Sequence, residues 1–512
     1  MSTTTWEGRQ EGYKPGIRHF WGLNSCFRQF GLDPAYIWLY PVYMLQKRIF
    51  KFWAFLFFFV LTGAFGQARS AILDEDAYNN LPRKAVLAPR SYEGLPSFYS
   101  LKLYAPLPGD QSDYGTCVAW ASAYAARTIS ESVALNRVNQ TETTQNVFSP
   151  VYVYRNIRPD DPECIQGAQI YSALDLMKDS GAVRMLDVER IMDFRRVDLS
   201  NYRDSRRYPI AGYVTLFSRE DRQKPALITR TVKKSLTEGK PVIIGMNTPD
   251  SFLEAKDVWE PRENPGYYYG GHAMCVVGYD DDKNGGAFEI LNSWGRKWGN
   301  GGYIWIPYQV FIDFVIEGYE IIENISTFSD SVRFDGFVQL EISSSRGIEQ
   351  AALAFSPEGV YRTVQTYTEG DRFSFIIGAR ESAYVYAFAF SQPSGESGYF
   401  SPVLLFPSTG VSALLNYSDS TVSLPGEDTA FAFDEKSGTE FLAVLYSKQA
   451  LDIHNIMRRF EAVEGSIGMR LSAAVGNDLY LSFLHNESEA AFTAAPDDQR
   501  AVTALIIAID HN

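Results

Sequence analysis

Hydrophobic patterning divides the chain into stretches with different periods. The first apolar run, residues 52–65, is 14 residues long, short of the roughly 20 that a membrane-spanning helix needs. Lys47 and Arg48 precede it, and Gly63, Ala64, Gly66 and Ala68 lie at its exit. A basic start, a short apolar run and small residues at the end predict a secretory signal peptide over residues 44–66. An uncleaved membrane anchor over residues 49–65 is the alternative. Residues 1–43 are rich in Trp, Tyr and Phe but lack apolar periodicity. They would bury the signal inside the chain, so they are read as untranslated or disordered, with translation starting at Met44.

Residues 67–94 are polar and predict an extended leader lying on the first domain. Residues 95–323 mix helix and strand signals. Helices are expected at 117–135, where small residues recur (Ala119, Ala121, Ala123, Ala125, Ala126), at 171–179, and at 231–238. Strands are expected at 241–245, 273–279 and 287–291, the last two joined by a turn rich in Asp, Asn and Gly. Beyond residue 324 the pattern changes to short strand-length runs such as 337–342, 372–377, 384–390, 403–406 and 441–446, with turns between them. Regularly spaced short strands predict a β-sandwich-like domain over 324–512, with one short helix near 452–460.

A length of 512 residues fits two or three domains, and 46% hydrophobic with 21% charged residues is a globular composition. The net charge of −14 argues against nucleic acid or an anionic membrane as partner. A membrane enters only if residues 49–65 remain as an anchor. The chain has four cysteines, of which Cys26 precedes the signal. The remaining three, Cys117, Cys164 and Cys275, do not make a disulfide scaffold.

Three segments carry candidate chemistry. A thiol is a weak nucleophile until ionised, and Cys117 stands where a predicted helix begins, so the helix N-terminus lowers its pKa. A neighbouring imidazolium is the second device. His272 is the one histidine between residues 67 and 323, so a histidine base in this domain is His272. Asn292, ending a predicted strand, is placed to orient that ring. The Gln111 side-chain amide and the Cys117 backbone N–H are the candidate oxyanion donors. His272 and Cys275 are three apart on a strand and face opposite sides, so they are not read as a metal pair. No cofactor or metal is expected.

With Gln111, Cys117, Gly271-His272-Ala273, Asn292-Ser293-Trp294-Gly295, Trp298-Gly299 and Gly301-Gly302-Tyr303 in order, residues 95–323 resemble the papain family of cysteine peptidases. The resemblance implies an α+β fold. A helical lobe would carry Cys117 and a β-rich lobe His272 and Asn292, with a cleft between them and Trp294 shielding the His–Asn bond. Val118 departs from the Trp that usually follows the nucleophile. Tyr114 replaces a usual half-cystine, leaving Cys164 as the orphaned partner. The leader lacks the long helical inhibitory propeptide of many members, which puts autoinhibition by a pro-segment in doubt. The pattern is closer to bacterial secreted relatives. Residues 325–512 also resemble a bacterial β-rich accessory domain found beside peptidase domains.

The expected function is a secreted, periplasmic or cell-surface cysteine peptidase acting on peptides or proteins. Two alternatives stay open: a catalytically silent binding protein of the same fold, and an amidase or acyltransferase using the same residues. The C-terminal region is read either as binding a protein or cell-surface partner or as a packing partner for the peptidase.

Overall fold

One antiparallel sheet organises the first half of the computed structural model. Its strands run in the order Gly212–Thr215, Val315–Ile322, Val242–Asn247, Gly271–Asp280, Ala287–Leu291 and Tyr303–Pro307, and Phe98–Ser100 joins Gly271–Asp280 as a branch. The structure describes residues 69–187, 194–195, 198–218, 220–323, 334–344, 347–395, 398–399, 401–427, 429–433, 435–480, 484–485, 489–494 and 502–512. The signal-peptide and start-site expectations lie outside these residues. Among the described residues no helix is long and apolar enough to cross a membrane.

The strands Val242–Asn247 and Gly271–Asp280 are buried along nearly their whole length, which is why both read as continuous apolar runs rather than alternating ones. Against them lies a helix running from residue 117 to 134, as the sequence predicts. Its middle, Trp120–Arg127, widens to π geometry. Its alanines are buried and let other elements approach closely. Pro150–Ile157 and Ile170–Asp179 complete the helical layer. The helix expected at 231–238 spans Pro225–Thr237. Pro225 is tolerated in the first turn because that N–H would lack an intrahelical partner anyway.

The C-terminal region packs two mostly antiparallel sheets. One has Phe334–Ser344 and Arg372–Ala379 at its centre. The other has Ala383–Pro393, Gly438–Ser447 and Val502–His511. The second sheet is apolar on both faces. Leu442, Val444 and Tyr446 point into the core between the sheets, while Phe441, Ala443 and Leu445 point outward into another core. Two helices, Ile453–Glu461 and Ile467–Val475, cover that outer face. The sequence signals one helix here. The second is nine residues with Gly468 in its first turn, a pattern too short to stand out. Burying Phe460 and Leu471 beneath these helices is worth about 1.5–3 kcal/mol each.

The leader differs most from expectation, because it serves both halves. It contains a short helix, Glu75–Asn79, and Arg83 bridges to Thr215 on one side and Val411 on the other. An extended segment has backbone donors and acceptors on both edges, and here each edge finds a partner. Lys84 N donates to Thr215 O (2.8 Å), while Arg83 N donates to Gly410 O (2.8 Å) and Ser412 N to Arg83 O (2.7 Å). Ala85 and Leu87 then enter the core between the C-terminal sheets.

A buried polar cluster joins the leader, the first half and the C-terminal region at this seam. Lys84 Nζ donates to Glu320 Oε1 (2.8 Å), as does Asn416 Nδ2 (2.9 Å). Ser235 Oγ (2.8 Å) and Tyr417 Oη donate to Glu320 Oε2. Burial works against the Glu320 charge, but Lys84 and Lys240 outweigh it and hold this carboxyl down to about 2.

Candidate active site

Cys117 is the first residue of its helix and fully buried, with Thr116 before it. The loop ahead of it is pinned: Gly115 N donates to Cys164 O (2.7 Å) and Tyr114 N to Gln111 O (3.2 Å). The thiol lies against the backbone amides of Ala273, Ser70, Val118 and Ala71. Ala273 follows His272, so the thiol lies against the backbone next to the imidazole, and among the described residues no thiol–imidazole hydrogen bond is formed. Burial is the dominant influence on Cys117 and pushes its pKa up against those amides.

His272 is the second residue of the strand Gly271–Asp280, opposite Met246 on the neighbouring strand. Its Nε2 lies 2.7 Å from Asn292 Oδ1. The same oxygen accepts from Ser293 N (2.7 Å), which settles which end of the Asn292 amide faces the ring. An acceptor at Nε2 requires the proton there, and the unprotonated lone pair is then on Nδ1. That nitrogen is buried and, among the described residues, has no hydrogen-bond partner. Trp294 stacks on the imidazole with ring centres 4.5 Å apart and planes inclined by 23°. Trp294 itself is buried and packed edge-on against Phe252 and Trp298. Burial holds His272 down to about 4, with the Asn292 bond working in the opposite direction.

Gln111 is fully buried. Its backbone N donates to Ser293 O (2.8 Å), its Oε1 accepts from Ser293 Oγ (2.6 Å), and its Nε2 donates to Tyr114 O (2.8 Å). Ser293, which the sequence reading passes over, thus links the Asn292 segment to the nucleophile loop. Cys164 and Cys275 are both buried free thiols. Tyr114 packs its ring on Phe194 (5.2 Å between centres).

The leader crosses this site. Ala71 N donates to Gly271 O (2.9 Å) on one side, and Ile72 N to Ala168 O (2.9 Å) on the other. The segment is therefore hydrogen-bonded to both lobes over Cys117. Arg69 anchors its start, with Nη1 on Thr248 O and Nη2 on Asp250 Oδ1, both 2.6 Å. Leu73 packs toward Gly245 and Gly271, and Asp74 N donates to Glu317 Oε1 (3.0 Å). Burial pushes the Glu317 carboxyl up to about 7. Two glycines make the crossing feasible. A Cβ at Gly271 would meet Ala71 O at 2.0 Å, and one at Gly167 (φ +79°) would meet Ser70 O at 1.7 Å.

The leader carries no long helix here, yet residues 69–74 alone satisfy edge donors and acceptors of both lobes beside the thiol. The consequence is electrostatic. With water excluded, neither the thiolate nor the imidazolium is favoured, so the expected ion pair is held here as a neutral thiol and a neutral imidazole.

Residues 109–319 match the family model described as papain family cysteine protease. An uncharacterized peptidase C1-like protein of Acanthamoeba polyphaga mimivirus is 26% identical over 254 residues, covering 47% of this chain and 77% of that protein. Among solved structures, xylellain, a cysteine protease from Xylella fastidiosa, is 21% identical with a TM-score of 0.39. That match covers 50% of this chain and 97% of the other. A procathepsin B from Trypanosoma congolense is 16% identical with a TM-score of 0.40, covering 51% and 89%. The similarity of this chain to the papain family of cysteine proteases is thus carried by residues 109–319.

Proposed function

We propose that the protein is a secreted cysteine peptidase that hydrolyses peptide bonds through Cys117, His272 and Asn292, and that residues 69–74 hold it latent. The observation that carries this reading is the His272–Asn292 pair (2.7 Å) under the Trp294 ring, beside a thiol at a helix start. Once the leader leaves, Cys117 Sγ passes its proton to His272 Nδ1 and attacks the substrate carbonyl carbon. The oxyanion is received by the Cys117 N–H and the Gln111 amide. Collapse breaks the C–N bond as His272 returns the proton to the leaving amine, leaving a thioester on Cys117. Water then attacks with His272 as base, releasing the acid and the thiol. Asn292 keeps the ring in the tautomer each step needs.

Peptides or proteins are the substrates that family membership supports. Secretion rests on the sequence pattern of residues 44–66. An N-terminally anchored form, or an amidase or acyltransferase with the same residues, is the competing reading.

The test is to cleave the chain after residue 74, so that the covering segment is released while residues 83–87 stay in place, and to treat the protein with iodoacetamide near neutral pH. Modification should fall selectively on Cys117, disappear in His272→Ala and abolish peptide hydrolysis. A reactive Cys117 with no hydrolysis across a peptide library would replace peptidase with the acyl-transfer alternatives. An inert Cys117 would leave a silent binding protein.

A further inference from the structure

The C-terminal sandwich contains a cavity of about 270 Å³ between its two sheets, remote in sequence from the cysteine site. The cavity is open to solvent on one side, so a ligand can reach it. Phe373, Phe375 and Phe433 wall one side, and Ala389, Leu405 and Ile509 the other. Two polar groups interrupt the apolar lining, Glu440 and His511. His511 is 3% exposed, and among the described residues neither ring nitrogen has a hydrogen-bond partner. Glu440 Oε1 is 3.6 Å from its Nε2, beyond hydrogen-bond range, while Glu440 Oε2 accepts from Ser391 Oγ (2.5 Å). Phe433 stacks on the imidazole at 4.9 Å and fixes its orientation. Leaving a buried ring with two unused nitrogens is unfavourable, and a bound ligand would relieve it.

We propose that this cavity is a binding site for a flat aromatic group carrying one hydrogen-bond donor, a phenol or an indole. Phenylalanine walls favour offset or edge-to-face contact with another ring. The Glu440 carboxylate accepts only, so the ligand supplies a donor. Glu440 repels an anion. The volume is just below the range of drug-sized pockets, about 300–1,000 Å³, and suits one or two fused rings. A free small molecule and a Tyr or Trp side chain of a protein present the same chemistry.

The experiment titrates the full chain with 4-fluorophenol and follows the fluorine NMR signal. Saturable binding with Kd of about 1 mM or tighter is expected for a ligand this small. Fluorobenzene, lacking the donor, should bind about fivefold more weakly. Ala389→Phe should fill the cavity and remove binding while the melting temperature is retained, and Leu405→Trp is the second filling variant if the first melts early. Glu440→Gln should weaken fluorophenol about fivefold and leave fluorobenzene unchanged. Displacement by N-acetyltyrosinamide would make a protein side chain the source, and its failure a free molecule; the site stands under either result. The proposal is overturned by absence of saturable binding to the folded protein, by equal affinity for fluorobenzene, or by binding that survives both filling variants.

Discussion

Ala71 N donates to Gly271 O over 2.9 Å, and Gly271 immediately precedes His272. The strand that supplies the imidazole is thus paired with the segment that covers the thiol. Freeing the leader would therefore expose the thiol and the imidazole together.

The first prediction tests that bond. Ala71→Pro removes the donor to Gly271, and with it one of the amides against the Cys117 thiol, without substituting any catalytic candidate. One hydrogen bond is worth about 1 kcal/mol, which is about a fivefold change in the open population. Alkylation of Cys117 by iodoacetamide, read by mass spectrometry, should accelerate by about that factor. An unchanged rate would mean the leader does not limit access.

The pH dependence of that acceleration has a definite sign. Burial pushes the Cys117 pKa up in the covered state, and only the thiolate reacts. Opening restores water and brings the pKa down, so the gain from Ala71→Pro should be larger at pH of about 6 than at about 9. A gain independent of pH would show that the substitution altered steric access without changing thiol ionisation.

Asn292→Ala should leave the fold intact but free the imidazole to rotate and lose its fixed tautomer. Removing that control should lower kcat on a fluorogenic peptide by about 10²-fold, within the range for general acid–base catalysis. Trp294→Leu should act on the same ring by admitting water, raising the His272 pKa from its depressed value. NMR titration of the imidazole in the leader-bound form would read the shift, and an unaltered titration would remove Trp294 from the site.

The Lys84–Glu320 pair at the seam yields a stability prediction. Glu320 is held down to about 2 from an ordinary value of 4.5. A carboxyl depressed in the folded state contributes stability that is fully present above 4.5 and is lost as pH falls toward 2. At neutral pH, Glu320→Gln should cost about 3–5 kcal/mol, since it leaves Lys84 buried without its counter-charge. Denaturant unfolding of wild type and variant should show that difference shrinking through the same window. A gap constant with pH would mean the bonds to Ser235, Tyr417 and Asn416, rather than the charge, hold the seam.

Much of the fold is written in local pattern. The strand 287–291 and the strand 403–406 have the limits their apolar runs predict, because both are bounded by turn residues. The strand 441–446 extends to Gly438–Ser447, and its doubly buried character follows from its unbroken apolarity. Helix starts are less legible: Pro225–Thr237 begins six residues before its apolar face becomes readable. Ile467–Val475 is missed because nine residues with a glycine carry little periodicity. Ser293 escapes notice since a serine anchoring a buried amide has no distinguishing spacing.

The residue types of the cysteine site and the order in which they occur belong to the sequence alone, as do the strand and helix periods that place them at element ends. Those features are local, set by which side chains can ionise, cap or alternate. The course of residues 69–88 is different. Nothing in that polar run says that its first residues cross the thiol, or that Ala85 and Leu87 enter another core. Backbone groups that pair with partners far along the chain, as Ile72 with Ala168 and Arg83 with Gly410 do, leave no periodicity. Only the assembled edges of both halves decide where such a strand lies, and with it whether the sulfur is a thiol or a thiolate.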